Sequence, residues 1–293
     1  MNKIILVADD NYINHVMVTI SSLTTNSKNK EKLELFVING GLSAGSQKKL
    51  KSIGCKIINI DLDKYKHFKK IGHLGYTTYY RLEIPKLFPN EKVVYLDCDT
   101  VVKGDINELF NIPLSKKTIG AVKDYNLNLV NHTNYFNAGL LIIDCKKWNK
   151  KNYSKKFFDW YANNSDRVRF ADQCILNGIL EKDWKELPLE WNRQRILLEY
   201  NRRLFGLTSE KYNQLKFHPK MIHYTGKMKP WHARYIFEDK KEYEFYSNKL
   251  GIINKKALSP SDLIYIITRK IIHFFKLRHF LEKYNLVFFA KAQ

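Results

Sequence analysis

Proline and glycine are scarce, 7 and 13 in 293 residues, which excludes collagen-like chains and Pro/Gly-rich disordered ones. Cysteine is scarcer still: Cys55, Cys98, Cys145 and Cys174 are far apart and form no C-x-x-C pair. That excludes a zinc ribbon and a disulfide framework, so the thiols are expected to be reduced and partly buried. No apolar run approaches the ~18 residues of a membrane span. The one long uncharged segment, Tyr125 to Ile143, is broken by Asn126, Asn128, Asn131, Asn134 and Asn137. The apolar start of the chain stops at Asp9 and Asp10, too short for an export signal, and a cytoplasmic location is expected. Also missing are a G-x-G-x-x-G after the first apolar run and a G-x-x-x-x-G-K-[ST] anywhere. The usual backbone cradles for a dinucleotide or a triphosphate are therefore absent.

Acidic residues are outnumbered, 29 against 50 Lys and Arg, giving a net charge of +21. Such an excess draws phosphate-bearing partners, whether nucleic acid, anionic lipid or a nucleotide. The charge is diffuse and accompanies no helix-turn-helix, zinc or RRM signature, so specific nucleic-acid binding is not expected. What the chain has in abundance is apolar material: 44% hydrophobic residues, with 17 Phe, 18 Tyr and 5 Trp. It can bury a sizeable core, and a length above the usual single domain still suits one α/β unit with an appendage.

Short β-branched runs recur with helical segments between them: Ile4-Ile5-Leu6-Val7, Leu35-Phe36-Val37-Ile38, Ile57-Ile58-Asn59-Ile60 and Val93-Val94-Tyr95-Leu96. Further strands are expected at Ile119 to Val122 and Leu140 to Ile143. Nearly continuous apolar strands alternating with helices predict an α/β fold with a mostly parallel sheet covered on both faces. The helix between the second and third strands carries Ser43 or Ser46 as N-cap and Gly54 past its end. Composition shifts at 251–262, which reads as a linker. From Lys255 onward, eight Lys/Arg face only Asp262 and Glu282. At ~100° per residue, Ile264, Ile267, Ile271, Phe274 and Phe275 share one arc, with Arg269, His273 and Lys276 opposite. This basic amphipathic tail, 263–293, fits either a helix docked on the body or one lying on an anionic membrane surface; Phe280, Leu286, Val287, Phe288 and Phe289 favour the membrane.

Two carboxylates end the strand Val93 to Leu96, in Asp97-Cys98-Asp99. Period-2 geometry would project both to one side at the carboxyl edge of a parallel sheet, where α/β proteins bind ligands. Two hard oxygens there suit Mg²⁺ or Mn²⁺ bridging a diphosphate. Asp61-Leu62-Asp63 has the same form but leads into the solvated Lys64-Tyr65-Lys66-His67, so the first pair is preferred. A second concentration runs from His223 through Gly226, Lys227, Lys229 and Trp231 to His232. An imidazole can complete a Mn²⁺ site, glycine admits a phosphate to the backbone, and lysine neutralises it.

In order along the chain, Ala8 to Tyr12, Thr77 to Leu82, Tyr95 to Asp99, Phe136 to Gly139, Asp172 to Asn177 and His223 to His232 resemble the motifs of glycosyltransferase family 8. These are retaining nucleotide-sugar transferases that include the bacterial lipopolysaccharide α-galactosyl- and α-glucosyltransferases. The resemblance implies a GT-A type fold over 1–250, Rossmann-like, moving galactose or glucose from a UDP-sugar to a saccharide or lipid-linked acceptor. It implies that Asp97, Asp99 and His223 hold Mn²⁺, with Mg²⁺ as the alternative, and that the metal holds the UDP diphosphate. It places Ala8, Asp9, Asn11 and Tyr12 at the uridine, with Asp9 accepting from the uracil, Asn11 near the ribose and Tyr12 stacking on the base. It counts Cys98, within the metal motif, among the nucleotide-sugar-binding residues, and Gly226 and Lys229 match diphosphate contacts. Arg81, Asp124, Asn137, Ala138, Asp172 and Gln173 match residues lining the donor sugar. Gln173 falls beneath the anomeric carbon; an amide is a poor nucleophile, which favours front-face attack with the leaving phosphate oxygen as base, Asp172 being the alternative nucleophile. Where relatives read Asp-Gln-Asp, this chain has Asp172-Gln173-Cys174, one acidic candidate fewer. An inactive UDP-sugar-binding homologue is the competing reading, and the intact Asp97, Asp99 and His223 argue against it. The expected location is the inner face of the cytoplasmic membrane.

Overall fold

In the computed structural model of the chain, the described residues are 1–61, 63–68, 75–125, 134–252 and 259–274. The strands, in chain order, are β1 (Asn2–Ala8), β2 (Leu33–Asn39), β3 (Cys55–Ile58), β4 (Lys92–Leu96), β5 (Thr100–Val102), β6 (Ile119–Lys123), β7 (Phe136–Asp144), β8 (Trp184–Glu186), β9 (Arg193–Gln194) and β10 (Met221–His223). Seven of them make one sheet in the order β3-β2-β1-β4-β7-β6-β8. The pairs β3·β2, β2·β1, β1·β4 and β6·β8 are parallel, while β7 runs antiparallel to both β4 and β6. The mostly parallel α/β sheet expected from the apolar runs is thus present, with one reversed strand. Its third strand starts two residues earlier than the apolar run and stops at Ile58; Asn59 instead accepts from the Asn39 side chain at 2.8 Å.

Both faces of the sheet are covered, as near-continuous apolar strands require. Along β1, Ile5 and Val7 pack into one core while Ile4, Leu6 and Ala8 pack into another. The helix Ile13–Asn26 covers the second face with Val16, Ile20 and Leu23. On the first face lie Trp148, Phe157, Ile175 and Leu176, from the helices Cys145–Lys150, Tyr153–Asn164 and Ala171–Leu180. The helix Ala44–Ser52 is capped by Ser43, whose hydroxyl accepts from the Ser46 N–H at 3.3 Å, and Gly54 follows it at φ +85°. All four cysteines are free, and three are buried.

Apolar periodicity does not announce the second, three-stranded sheet, β5-β10-β9. Its strands are two or three residues long, and β5 runs antiparallel to β10. A third core of Val18, Val101, Ile222 and four tyrosines, Tyr224, Tyr235, Tyr243 and Tyr246, lies beneath it.

The tail helix begins at Pro260, inside the stretch read as linker, and extends to Phe274. A capping box sets that earlier start: Asp262 accepts from the Ser259 N–H at 2.9 Å, Ser259 Oγ accepts from the Asp262 N–H at 3.2 Å, and proline occupies the first turn. Arg234 pairs with Asp262 and lies over the Tyr265 ring at 5.3 Å. Leu263, Ile264, Ile267 and Ile271 are nonetheless exposed, Ile264 by 68%. The side chains of His273 and Phe274, and Phe275, Lys276, Phe280, Leu286, Val287, Phe288 and Phe289, lie outside the described residues, as does Leu62. Among the described residues no helix is long and apolar enough to cross a membrane.

Candidate active site

The chain leaves the main sheet at Leu96 and enters the small one at Thr100, so Asp97-Cys98-Asp99 forms a bend between sheets rather than the end of a strand. The two carboxylates nonetheless face the same side, toward His223, as their i, i+2 spacing suggested. The bend is held by backbone. The Asp97 N–H donates to Gly139 O at 2.9 Å, the Tyr224 N–H donates to Asp99 O at 3.0 Å, and Thr19 Oγ1 lies 2.9 Å from both Cys98 O and Thr100 O. Cys98 turns inward, its thiol on Val7 O at 3.0 Å, and burial pushes that thiol well above its usual range.

The pairing of β10 with β5 puts His223 opposite Thr100 and completes the cluster. His223 Nε2 lies 3.3 Å from Asp99 Oδ1 and 3.8 Å from Asp97 Oδ2. One ligand atom from each of the three falls within 4.8 Å of the others, and His223 and Asp99 are buried. Gly139 makes room for the ring: a Cβ there would sit 2.1 Å from His223 Cε1. On its far side, His223 Nδ1 is 2.9 Å from Asn192 Oδ1. An amide oxygen only accepts, so Nδ1 carries the proton and Nε2 turns a lone pair toward the carboxylates. Two carboxylate oxygens and an imidazole lone pair facing one another are the donor set of a hard or borderline divalent cation, and these residues fit one.

The other oxygen of each carboxylate is taken by a buried cation. Lys229 pairs with Asp99 Oδ2 and donates to Tyr224 O at 2.7 Å. Burial opposes ionisation of Asp99, yet the Lys229 ammonium holds it well below the usual carboxylate range. Asp97 Oδ1 receives the Tyr95 hydroxyl at 2.6 Å and Arg81 Nη2 at 3.1 Å. Arg81 is itself buried, stacked over Tyr95 at 4.3 Å, and donates to Ala138 O at 2.6 Å. Its Nε lies 2.9 Å from Asp172 Oδ2. Burial pushes the Asp172 carboxyl up to about 6, with Arg81 pulling against it. Ala171, immediately before it, has φ +46°, a left-handed residue costing roughly 1–3 kcal/mol at the entrance to the helix that presents Asp172 and Gln173.

A side-chain relay joins the cluster to Gln173. Asn192 Nδ2 donates to Asn137 Oδ1 at 2.9 Å, Asn137 Nδ2 donates to Asp124 Oδ2 at 3.2 Å, and Gln173 Nε2 donates to the same oxygen at 2.9 Å. Gln173 Oε1 accepts from the Ala138 N–H at 3.0 Å, so both ends of the amide are fixed. Arg81, Asp97, Asp99, Asp124, Asn137, Ala138, Asp172, Gln173, His223 and Lys229 thus belong to one connected assembly.

Ala8 ends β1, and Asp9, Asn11 and Tyr12 follow it. Asp9 caps the turn Asp10–Tyr12 by accepting from the Asn11 N–H at 3.0 Å, and the Tyr12 ring stands edge-on to Trp231 at 6.1 Å. Gly226, at φ +82°, lies against Arg195, whose Nη2 would be 3.4 Å from a Cβ there. Sequence reasoning missed Asn192, Thr19 and Arg195, which form no motif and become significant only through their partners. The alternative carboxylate pair does not compete: Asp61 and Asp63 are exposed, and Asp63 pairs with Lys66 at 2.7 Å.

The family model described as Glycosyl transferase family 8 matches residues 3–234. The chain belongs to glycosyltransferase family 8. General stress protein A of Bacillus subtilis is 31% identical over 277 residues, covering 87% of this chain and 97% of that protein. The probable glycosyl transferase Gly of Streptococcus gordonii is 29% identical over 235 residues, and the match spans 78% of this chain but 32% of that longer protein. Among solved structures, an active-site mutant of LgtC superposes with a TM-score of 0.74 at 22% identity, covering 84% of this chain and 95% of LgtC. The galactosyltransferase LgtC in complex with donor and acceptor sugar analogues gives 0.71 at 21% identity, covering 90% and 99%. This family 8 chain therefore has the GT-A fold, a mixed sheet rich in parallel pairs with flanking helices.

Two outcomes follow. Gly139→Ala should drive His223 out of place or unfold the chain, lowering stability by about 1–3 kcal/mol in denaturant melts; a neutral effect would show that the ring is not confined. For Asp172, the raised value means that its contribution to stability is fully present below about pH 4 and is lost as pH rises through about 6. A carboxyl ¹³C signal absent from Asp172→Asn should titrate near 6 in the wild type and higher in Arg81→Met.

Proposed function

We propose that this protein transfers a hexose, galactose or glucose, from a UDP-sugar to a saccharide acceptor of a lipopolysaccharide or another cell-surface glycan, with retention at the anomeric carbon. One observation carries this reading: Asp97, Asp99 and His223 converge with Lys229 beside a fixed Gln173 amide, in a family 8 glycosyltransferase. The GT-A neighbour LgtC, whose complex holds donor and acceptor sugar analogues, supports a two-substrate site. Asp97, Asp99 and His223 would hold the cation, Mn²⁺ or Mg²⁺, which supplies positive charge for a leaving diphosphate.

The chain's own groups do the rest. Lys229 and Gly226 receive the diphosphate, the ammonium countering charge and the glycine admitting it to the backbone. Ala8, Asp9, Asn11 and Tyr12 take the uridine, with Cys98 packed beneath. Arg81, Asp124, Asn137, Ala138 and Asp172 line the sugar. Gln173, immobilised at both ends, holds its position beneath the anomeric carbon without being consumed. The acceptor hydroxyl attacks from the face the diphosphate leaves, and its proton passes to the departing phosphate oxygen. Asp172 is occupied by Arg81, which favours this course over a covalent glycosyl-enzyme on that carboxylate.

Asp97→Asn, Asp99→Asn and His223→Ala should each lower Mn²⁺-dependent hydrolysis of UDP-galactose or UDP-glucose at least a hundredfold, while Asp61→Asn leaves it unchanged. Full turnover in Asp99→Asn, followed by UDP release, would remove the assignment.

The exposed apolar row Leu263, Ile264, Ile267 and Ile271, on a basic tail, supports peripheral attachment of 263–293 to an anionic membrane at its cytoplasmic face, leaving 1–250 as the catalytic unit. Each Lys or Arg near such a surface adds ~1 kcal/mol and is weakened by salt. Truncation after Asn254 should abolish sedimentation with phosphatidylglycerol vesicles and spare UDP-sugar hydrolysis. A truncated chain that melts or loses hydrolysis would assign the tail to the core instead.

A further inference from the structure

Arg202 and Arg203 are adjacent in the single turn Arg202–Phe205, and neighbours on a helical turn ordinarily point apart. Here both line one open cavity of about 480 Å³, together with Asn201, Ser209, Tyr212 and Asn213. None of the six is acidic. Arg202 is braced by donating to Leu207 O at 2.9 Å, and among the described residues Arg203 makes no ion pair. Two guanidinium groups beside neutral hydroxyls and amides, with no carboxylate between them, repel each other unless an anion joins them. Guanidinium geometry matches phosphate and carboxylate oxygens in pairs.

The cavity's wall is tied to the active site at two points. Phe205, on the same turn, meets the Tyr125 ring edge-on at 5.6 Å, and Tyr125 directly follows Asp124 of the Gln173 relay. Arg195, just before the helix Ile196–Glu199 that leads into this segment, reaches Gly226 of the Lys229 loop. These two contacts tie the cavity's wall to the rim of the assembly.

The geometry points to an anion subsite for the acceptor: Arg202 and Arg203 bind a phosphate or carboxylate group carried by the saccharide that receives the hexose. This rests on the transferase reading above and adds the acceptor's chemical class, an anionic glycan rather than a neutral one. No bond is made or broken there; the subsite positions the acceptor and sets its selectivity.

The test is calorimetric titration of the full chain, with UDP and Mg²⁺ present, using glucose 6-phosphate, glucose and inorganic phosphate as probes. Glucose 6-phosphate should bind at least tenfold more tightly than either other probe. The double variant Arg202→Gln/Arg203→Gln should erase that preference while leaving UDP affinity and UDP-sugar hydrolysis within twofold of wild type. Arg203→Glu, a change at an exposed side chain, should weaken glucose 6-phosphate binding at an unchanged melting temperature, which keeps the test independent of folding defects. Equal binding of glucose and glucose 6-phosphate, or a preference that survives the double variant, would overturn the proposal. Inorganic phosphate binding as tightly as glucose 6-phosphate would reduce the cavity to a free-anion site and overturn its acceptor role. Failure of UDP to bind the wild type would count against the donor reading, while the contrast between glucose 6-phosphate and glucose, repeated without UDP, still decides the subsite.

Discussion

Two carboxylates held side by side in a half-buried bend are the constraint around which this molecule is organised. Their ligand oxygens lie within 4.8 Å of a common imidazole nitrogen and of each other, where like charges repel by roughly 3 kcal/mol at an effective dielectric of about 20. Desolvation adds to that cost. The fold answers with one cation per carboxylate, Arg81 on Asp97 and Lys229 on Asp99, each bound through the oxygen turned away from His223. The inward oxygens and the imidazole lone pair are left facing a shared point. Neutralising the pair from behind lets the two carboxylates persist side by side with their inner oxygens free to face His223.

Each supporting cation is fixed in turn. Arg81 is shared with Asp172 and Ala138 O and stacked on Tyr95, so it cannot swing away without exposing two carboxylates. Lys229 is tied to Tyr224 O, and Tyr224 belongs to the tyrosine-rich core beneath the small sheet. That core carries its own polar bonds: the Tyr224 hydroxyl donates to Asp239 O at 2.8 Å, and Asp239 pairs with the buried Arg193 at 2.6 Å. A sheet only three strands wide gains little from its ladder, and the large aromatic area buried under it supplies the rigidity that His223 requires.

The diffuse positive charge divides into distinct roles when mapped on the structure. Arg81 and Lys229 are internal counter-ions whose charge is spent on Asp97, Asp172 and Asp99. Arg202 and Arg203 line an acid-free cavity on the rim, and the tail's basic residues accompany an exposed apolar row at the opposite end of the sequence from β1. Net charge alone, compatible with nucleic acid, lipid or nucleotide, does not distinguish these uses; burial and partnership do.

Much of this was legible in the residues alone. The continuous apolar runs fixed β1, β2, β4 and the covered sheet, because a strand buried on both faces has no polar alternation to hide its identity. Ser43 and Gly54 marked a helix correctly, since capping is local chemistry. Asp97, Asp99 and His223 could be singled out by residue type and by resemblance to family 8. The arrival of His223 beside the two carboxylates was not legible. It depends on a bend between two sheets, on the register that sets His223 opposite Thr100, and on a glycine at 139 whose missing Cβ admits the ring. Nor could sequence show that Asn192 sets the proton on His223 or that Gln173 is locked by Asp124, for these are contacts across 31 and 49 residues between side chains with no motif of their own. Local propensity and hydrophobic period act over a few residues and so are written in the chain. The site's geometry is set by long-range packing, which exists only after the chain has folded.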